Sequence, residues 1–422
     1  MEKKKSNRVV MGIWDVKLMF ESSLIIFFII GALATTAVYY VNSDEQQPII
    51  ISDIIRSSAN YVYDDDSLEG CDLFSGKWVH ENESNYYPLY KEVECPYIPG
   101  EFACGQHGRM DFEYQQWRWQ PHGCKLPRFD AKEVLERLRG KRVIFVGDSV
   151  NRNQWLSMVC MLQSVIPLGL KKMHKVANAS LFTFKAFEYD VSIDFYWAPL
   201  LVESNADHPS KHKRSERIVH IQSIEKHAKN WVDADILVFN SYLWWGTPTL
   251  KMLYGAFQSS KKYNIVSNHD GYGMVLEKWS NWLRTQINHT RTRSYFMSMT
   301  ATHQRGVDWG KQDNGNCLNE TQPVMKDNFW ESGSDLTMMR TLELTLSKLK
   351  ARGVDVQLVN ITQLTQYRKD GHPSIHRLFY STLKAKQLSN PSRYADCTHW
   401  CLPGVPDTWN ELLLFHIIQG LK

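Results

Sequence analysis

The stretch RVIFVGDSVNRNQW, residues 142–155, decides how this chain is read. After Arg142 come four apolar, β-prone residues, Val143 to Val146, and after Gly147-Asp148-Ser149 the pattern turns helical. A strand that stops on a glycine and leaves a small hydroxyl at its carboxyl end puts that hydroxyl where open α/β sheets bind ligands. The plain alternative is a strand-to-helix turn in which Ser149 is the N-cap of a helix starting at Val150.

The rest of the chain repeats the alternation. Strands are expected at Ile236 to Asn240, Ser294 to Met299 and Val354 to Ile361, with a further one at Ser192 to Pro199. Helical patterns run over Val150 to Gln163, Val275 to Ile287, the segment LTMMRTLELTLSKLKARG from Leu336, and Thr408 to Gln419. Such alternation predicts an α/β fold, a mostly parallel sheet flanked by helices on both faces. Between Cys71 and Arg139 the chain is rich in Cys, Gly, Pro and aromatics and reads as a loop-rich region stapled by disulfides.

Composition narrows the class. A hydrophobic content of 43% and 15 tryptophans imply a substantial core, and a net charge of +4 lacks the concentrated basic patch of a nucleic-acid binder. Ser22 to Ser43 carries no charge, and its apolar centre, Leu24 to Val41, is long enough for a helix to cross a membrane. Lys3, Lys4, Lys5, Arg8 and Lys17 precede it, while Asp44 and Glu45 follow. The positive-inside rule then predicts a cytosolic tail (1–22), a transmembrane signal anchor (23–42), a luminal stem (43–70) and a luminal body (71–422). A cleaved signal peptide is the alternative, against which stand the length of the apolar run and the lack of a clear small-residue cleavage site. All eight cysteines follow the apolar segment, and N-x-S/T sequons stand at Asn82, Asn178, Asn288, Asn319 and Asn360. Both fit an oxidising, glycosylating compartment.

Near the far end, ADCTHWCLPG places Asp396 three residues before His399. A serine hydroxyl is a weak nucleophile until a histidine takes its proton, and the histidine needs an acid to fix its tautomer. Asp-x-x-His lets one loop present both to Ser149. A metal reading competes: Cys317, Cys397, His399 and Cys401 as a zinc site, although Cys-x-His-x-Cys is an unusual spacing for structural zinc. Spacing alone leaves the cysteine pairing open, since eight cysteines permit 105 connectivities.

Gly-Asp-Ser early and Asp-x-x-His late resembles the GDSL/SGNH hydrolase-like superfamily. More narrowly, CDLFSGKWV, WRWQPHGCKLPRF, GDSVNRNQW, FYWAPLLVESN, FNSYLWW and YADCTHWCLPGVPDTWNELL are similar to plant trichome birefringence-like polysaccharide O-acetyltransferases. These segments extend over essentially the whole body after Cys71. FYWAPLLVESNADHP and SIEKHAKNW look most like the members that acetylate xylan. One departure is SMTATHQR (Ser298 to Arg305), where Ala301 stands in place of a proline common in the family, a change expected to loosen that loop.

The resemblance implies an SGNH/GDSL-like sheet and a Golgi single-pass type II membrane enzyme. Ser149 would carry acetyl to a xylosyl hydroxyl of xylan, His399 would act as base and Asp396 would orient it. It implies no bound cofactor but an acetyl donor such as acetyl-CoA, a xylan-type acceptor, and the disulfides Cys71–Cys124, Cys95–Cys160, Cys104–Cys401 and Cys317–Cys397. Candidate oxyanion or substrate residues are Gly147, Asp148, Asn151, Arg152, Asn240, Trp244 and Trp245. Asn240 reads equally as a strand-capping turn, Arg152 as half of a structural ion pair, and at least one of the two tryptophans as core. Other functions consistent with the residues are an acetyl esterase with the same triad, a transferase acting on mannan, xyloglucan or pectin, and a non-catalytic polysaccharide-binding protein.

Overall fold

The structure is a computed structural model that describes residues 71–421, apart from 82–85, 176–179, 210–215, 255–262, 312–314, 332 and 380. The expected tail, membrane segment and stem lie outside the described residues, as do the sequons at Asn82 and Asn178. No helix among the described residues is long and apolar enough to cross a membrane.

Seven strands form the central sheet: β1 (Arg142–Gly147), β2 (Lys171–Lys175), β3 (Leu181–Ala186), β4 (Val191–Trp197), β5 (Ile236–Phe239), β6 (Arg293–Met297) and β7 (Val356–Val359). Their order is β7-β6-β5-β1-β4-β3-β2. The pairs from β7 through β4 are parallel; β3 and β2 are added antiparallel at one edge. From β1 the chain crosses to the edge at β2, works back inward through β3 to β4 beside β1, and then passes to β5 on the other side of β1. The strand order therefore reverses at the carboxyl end of β1, which is the crevice an open α/β sheet offers to ligands.

Both faces of the sheet are covered, so β1 is buried continuously from Val143 to Gly147 rather than alternating. Ile144 and Val146 join Leu237, Phe239 and Phe296 in one core with α3 (Asn268–Gln286) and α4 (Leu336–Lys350). On the opposite face lie α1 (Ala131–Arg137), α2 (Ser149–Gln163) and α5 (Val405–Gly420). There Trp155 of α2 stacks on Phe195 at 5.8 Å and donates its indole N–H to the Ile193 carbonyl at 3.0 Å.

The expected strands and helices are present, with shifts at their ends. Helix α3 begins seven residues ahead of Val275, capped by Ser267 through the Asp270 N–H. Its first turns carry Gly271 and Gly273, which read as breakers in sequence. A Cβ at Gly271 would come within 2.4 Å of Leu250 Cδ1, so the small residue lets the helix approach a neighbouring strand. The edge strands β2 and β3 were not expected. Lys171, Lys172, His174 and Lys175 of β2 hide the pattern and also guard an edge against further pairing. A separate four-stranded sheet (Glu203–Ser204, Ile218–His220, Thr249–Leu253, Tyr263–Ser267) and a hairpin-like pair (Gly76–His80 with Trp117–Pro121) complete the strands.

The four disulfides are Cys71–Cys124, Cys95–Cys160, Cys104–Cys401 and Cys317–Cys397, the pairs that the family resemblance implies. The second fastens the loop-rich region to α2 and the third fastens it to the loop ahead of α5.

At the end of β1 there is no room for a side chain. A Cβ on Gly147 would stand 2.4 Å from the Asn240 carbonyl oxygen and 2.9 Å from Asn151 Cβ. The first of these is backbone in the adjoining strand end and cannot swing aside. Gly147→Ala should therefore cost about 1–3 kcal/mol, as overpacking in a closed core does, read as a lower urea midpoint with an unchanged m-value.

Candidate active site

Helix α2 starts one residue earlier than a serine cap would allow. Asp148 is the N-cap, its Oδ1 accepting from the Val150 N–H at 2.9 Å, and Ser149 is the first helical residue. The plain alternative for Ser149 thus fails for a physical reason: the neighbouring carboxylate does the capping and leaves the hydroxyl unused by the helix. Burial pushes the Asp148 carboxyl up to about 6, against the pull of the helix-end N–H groups and His399.

The freed hydroxyl meets His399. Ser149 Oγ lies 2.7 Å from His399 Nε2, and His399 Nδ1 lies 2.9 Å from Asp396 Oδ2. With Nδ1–H donating to the carboxylate, Nε2 is left to accept the serine proton. Asp396 also accepts through Oδ1 from the N–H groups of Thr398 and His399, at 3.1 and 3.0 Å, and through Oδ2 from Arg377 at 3.3 Å. Burial alone would raise its pKa; the His399 charge, these hydrogen bonds and Arg377 outweigh burial and hold the carboxyl well below the usual range. For His399 burial works downward, but Asp396, helped by Glu101 and Asp148, leaves the imidazole above its ordinary value.

The loop that carries this pair is fastened on every side. Cys397 and Cys401 are bonded to Cys317 and Cys104, and Asp396 exchanges two backbone hydrogen bonds with Ser374. From α2, Asn153 donates to the Trp400 carbonyl at 3.2 Å and accepts from the Trp400 N–H at 2.7 Å. Ser149 and Asn153 are one helical turn apart, so one face of α2 grips the loop at two successive residues. The i, i+4 spacing was visible in GDSVNRNQW, yet nothing in the sequence said that the partner would be a backbone. The disulfides also dispose of the zinc alternative, since none of its three cysteines has a thiolate to offer.

A family model described as "GDSL/SGNH-like Acyl-Esterase family found in Pmr5 and Cas1p" matches residues 126–416, and one for the PMR5 N-terminal domain matches residues 69–125. The chain belongs to this acyl-esterase family. It is 53% identical over 356 residues to Protein trichome birefringence-like 34 of Arabidopsis thaliana, covering 84% of this chain and 86% of that one. It is 49% identical over 359 residues to Xylan O-acetyltransferase 12 of Oryza sativa subsp. japonica, covering 84% of this chain and 71% of that one. Protein trichome birefringence-like 35 of Arabidopsis thaliana is 48% identical over 348 residues, covering 82% and 76%.

The other candidate residues divide. Asn240 Nδ2 faces the Met297 and Ser298 carbonyls, each at 3.3 Å, so its amide clips the end of β5 to the end of β6 instead of standing free as an oxyanion donor. Trp245 is fully buried against Tyr272 and bonded to Ser241; it belongs to the core and not to a sugar-binding face. Trp244 is half-buried, edge-on to Trp197 at 5.8 Å with the Arg217 guanidinium 4.5 Å over its ring. Arg152 is half of an ion pair, with Glu101, flanked by the rings of Phe102 and Phe182. Asn151 is buried with both amide atoms unbonded among the described residues. Glu101 and Phe102, whose ring packs 5.6 Å from that of His399, come from the loop-rich region, where no motif announced them.

The Ala301 departure has the opposite effect to the one expected. Its N–H donates to Thr365 Oγ1 at 3.1 Å, a bond a proline could not make, so the loop is tied down there. Next to it the Thr302 N–H donates to the buried Glu331 carboxyl at 3.3 Å.

Asn153→Ala strands the Trp400 N–H and C=O, which should lower stability by about 1–3 kcal/mol and reduce kcat per folded molecule, compared by urea titration and initial rates. Burial, with a lesser push from Asp308, raises Glu331 from 4.5 to about 7. Its contribution is full below pH 4.5, where folded and unfolded chains are both protonated, and is lost as pH rises through about 7. Glu331→Gln should therefore melt above wild type at pH 8, with the gap closing toward pH 4.5 in a calorimetric series.

Proposed function

We propose that this protein transfers acetyl groups to xylosyl hydroxyls of xylan through an acetyl-Ser149 intermediate. The observation that carries this reading is the hydrogen-bonded series Ser149–His399–Asp396 at the switch point of the sheet. The names of its rice relatives, xylan O-acetyltransferases, supply the acceptor.

In the first half, Ser149 Oγ attacks the acetyl carbonyl of the donor while His399 Nε2 takes the hydroxyl proton. The tetrahedral intermediate collapses to acetyl-Ser149, and the donor's leaving group departs with that proton. In the second half a sugar hydroxyl attacks the acetyl-serine and gives its proton to His399, which returns it to Ser149 Oγ. Asp396 keeps Nδ1–H in place throughout. The Ser149 N–H, at the first residue of α2 and without an intrahelical acceptor, is the donor we assign to the oxyanion. The donor is an activated acetyl ester or thioester of the acetyl-CoA type, and half-buried Trp244 is the aromatic side chain we assign to the xylosyl chain.

We place the enzyme in the Golgi membrane as a single-pass type II protein. The charge asymmetry around Leu24 to Val41, the four disulfides and the exposed sequon asparagines Asn288 and Asn319 support that placement.

Ser149→Ala and His399→Ala should each lower transfer to deacetylated xylo-oligosaccharides by about 10⁴-fold or more, and the double variant should be hardly worse than either. Asp396→Asn should lose up to about 10⁴-fold because the tautomer is no longer fixed. An activated donor without acceptor should leave an adduct of about 42 Da on the Ser149 peptide. Transfer undiminished in Ser149→Ala would sink the mechanism, and donor hydrolysis outpacing transfer at saturating xylan would make the enzyme an esterase.

A further inference from the structure

Behind the catalytic loop lies a second pair of imidazoles that the reaction scheme does not use. His303 and His372 are 0% and 2% exposed. His303 Nε2 is 2.8 Å from the Gln366 carbonyl oxygen, His303 Nδ1 is 2.7 Å from His372 Nε2, and His372 Nδ1 is 2.7 Å from the main-chain carbonyl oxygen of His399. Trp309 and Trp400 close the pair in; the Trp400 ring lies 4.2 Å from that of His372.

Counting protons shows what is unusual here. The series runs from one carbonyl oxygen to another, and both ends only accept. Three links therefore need three protons, and two neutral imidazoles carry two. Whichever tautomers are chosen, one short contact sets lone pair against lone pair. A third proton, shared by the pair, would make every link a hydrogen bond.

We propose that His303 and His372 are positioning residues for acetyl transfer: a buried relay, one proton short when neutral, that anchors the loop of the catalytic base through the carbonyl of His399. This rests on the reading of His399 as that base. His372 supplies the Nδ1–H that fixes the carbonyl, and His303 decides whether His372 keeps it there.

The surroundings set the pH at which the third proton binds. Burial pushes His303 down to about 4, opposed by the Gln366 carbonyl, Asp370 and Glu320 and assisted by Lys369. Burial and His303 push His372 well down, opposed by the His399 carbonyl and Asp396 and assisted by Arg109. Asp370 is itself paired with Arg368, and Glu320 with Lys369 and Lys311. The relay is therefore neutral at pH 7 and closes its last link only in acid.

The test separates an anchor from a filler. Asparagine at 372 can place its Nδ2–H near the Nδ1 position, whereas leucine fills the space without a donor. His372→Asn should stay within a few-fold of wild-type kcat, while His372→Leu should lose about 10- to 100-fold in kcat, with KM nearly unchanged. Leucine equal to or better than asparagine, in a protein that His399→Ala inactivates, would overturn the anchor while leaving the base intact. Should the leucine variant not fold, histidine-labelled ¹⁵N spectra decide. Wild type should show both rings taking up a single shared proton in acid, and His303→Gln, a neutral mimic, should abolish that step for His372. Rings that titrate independently, or a His372 step that survives His303→Gln, would refute the relay.

Discussion

One carboxylate holds the site together. Asp396 accepts from two main-chain N–H groups of its own loop, from the imidazole of His399 and from Arg377, with its side chain only 8% exposed. Without those donors a charge at that depth would be untenable; with them it shapes the turn, sets the tautomer and keeps the base basic. Ser149 depends on this arrangement only at its last step, because β1, Gly147 and the Asp148 cap deliver its hydroxyl independently. The site is thus assembled from two halves, joined by Ser149 on His399 and, one helical turn along α2, by Asn153 on the backbone of Trp400.

The elements buried on both sides were legible in the sequence. VIFV, ILVF and the strand around Phe296 read as apolar runs because helices cover both faces, and the parallel order followed from their alternation with helical patterns. The polar edge strand Lys171–Lys175 and the glycine-bearing start of α3 were not legible, since their conformations come from tertiary neighbours and contradict local propensity. The same split holds at the site. Residues whose chemistry is intrinsic, Ser149, His399 and Asp396, could be picked out by type and spacing. Roles that depend on a backbone partner far away could not be read: nothing marks Asn153 for Trp400, and Asn240 stands out in the sequence without its partners Met297 and Ser298. Trp244 and Trp245 show why adjacency misleads: Trp245 is fully buried in the core, while its neighbour is half-buried at the edge of that core beneath Arg217.

Much of the rigidity around His399 comes from groups that never meet substrate. The loop-rich region supplies Glu101 to Arg152, Phe102 to the imidazole, and Arg109, whose Nη1 and Nη2 bond the carbonyls of His372 and Asp370 at 3.0 and 2.7 Å. The two family models meet at residues 125 and 126, but the contacts that steady the His399 loop come from both sides of that seam.

The Cys104–Cys401 bond joins residues 297 apart in the chain. Synthesis proceeds from the amino terminus, and early segments begin to fold before late ones exist. Cys104 therefore emerges long before its partner, at a time when Cys71, Cys95, Cys124 and Cys160 are also becoming available to it. Its correct pairing has to wait until nearly the whole chain has been made, by which time α2 and the sheet can already have formed. Assembly of the candidate site is in this sense a late event, because Ser149 and the strand that positions it are made some 250 residues before His399, whose loop the Cys104–Cys401 bond fastens.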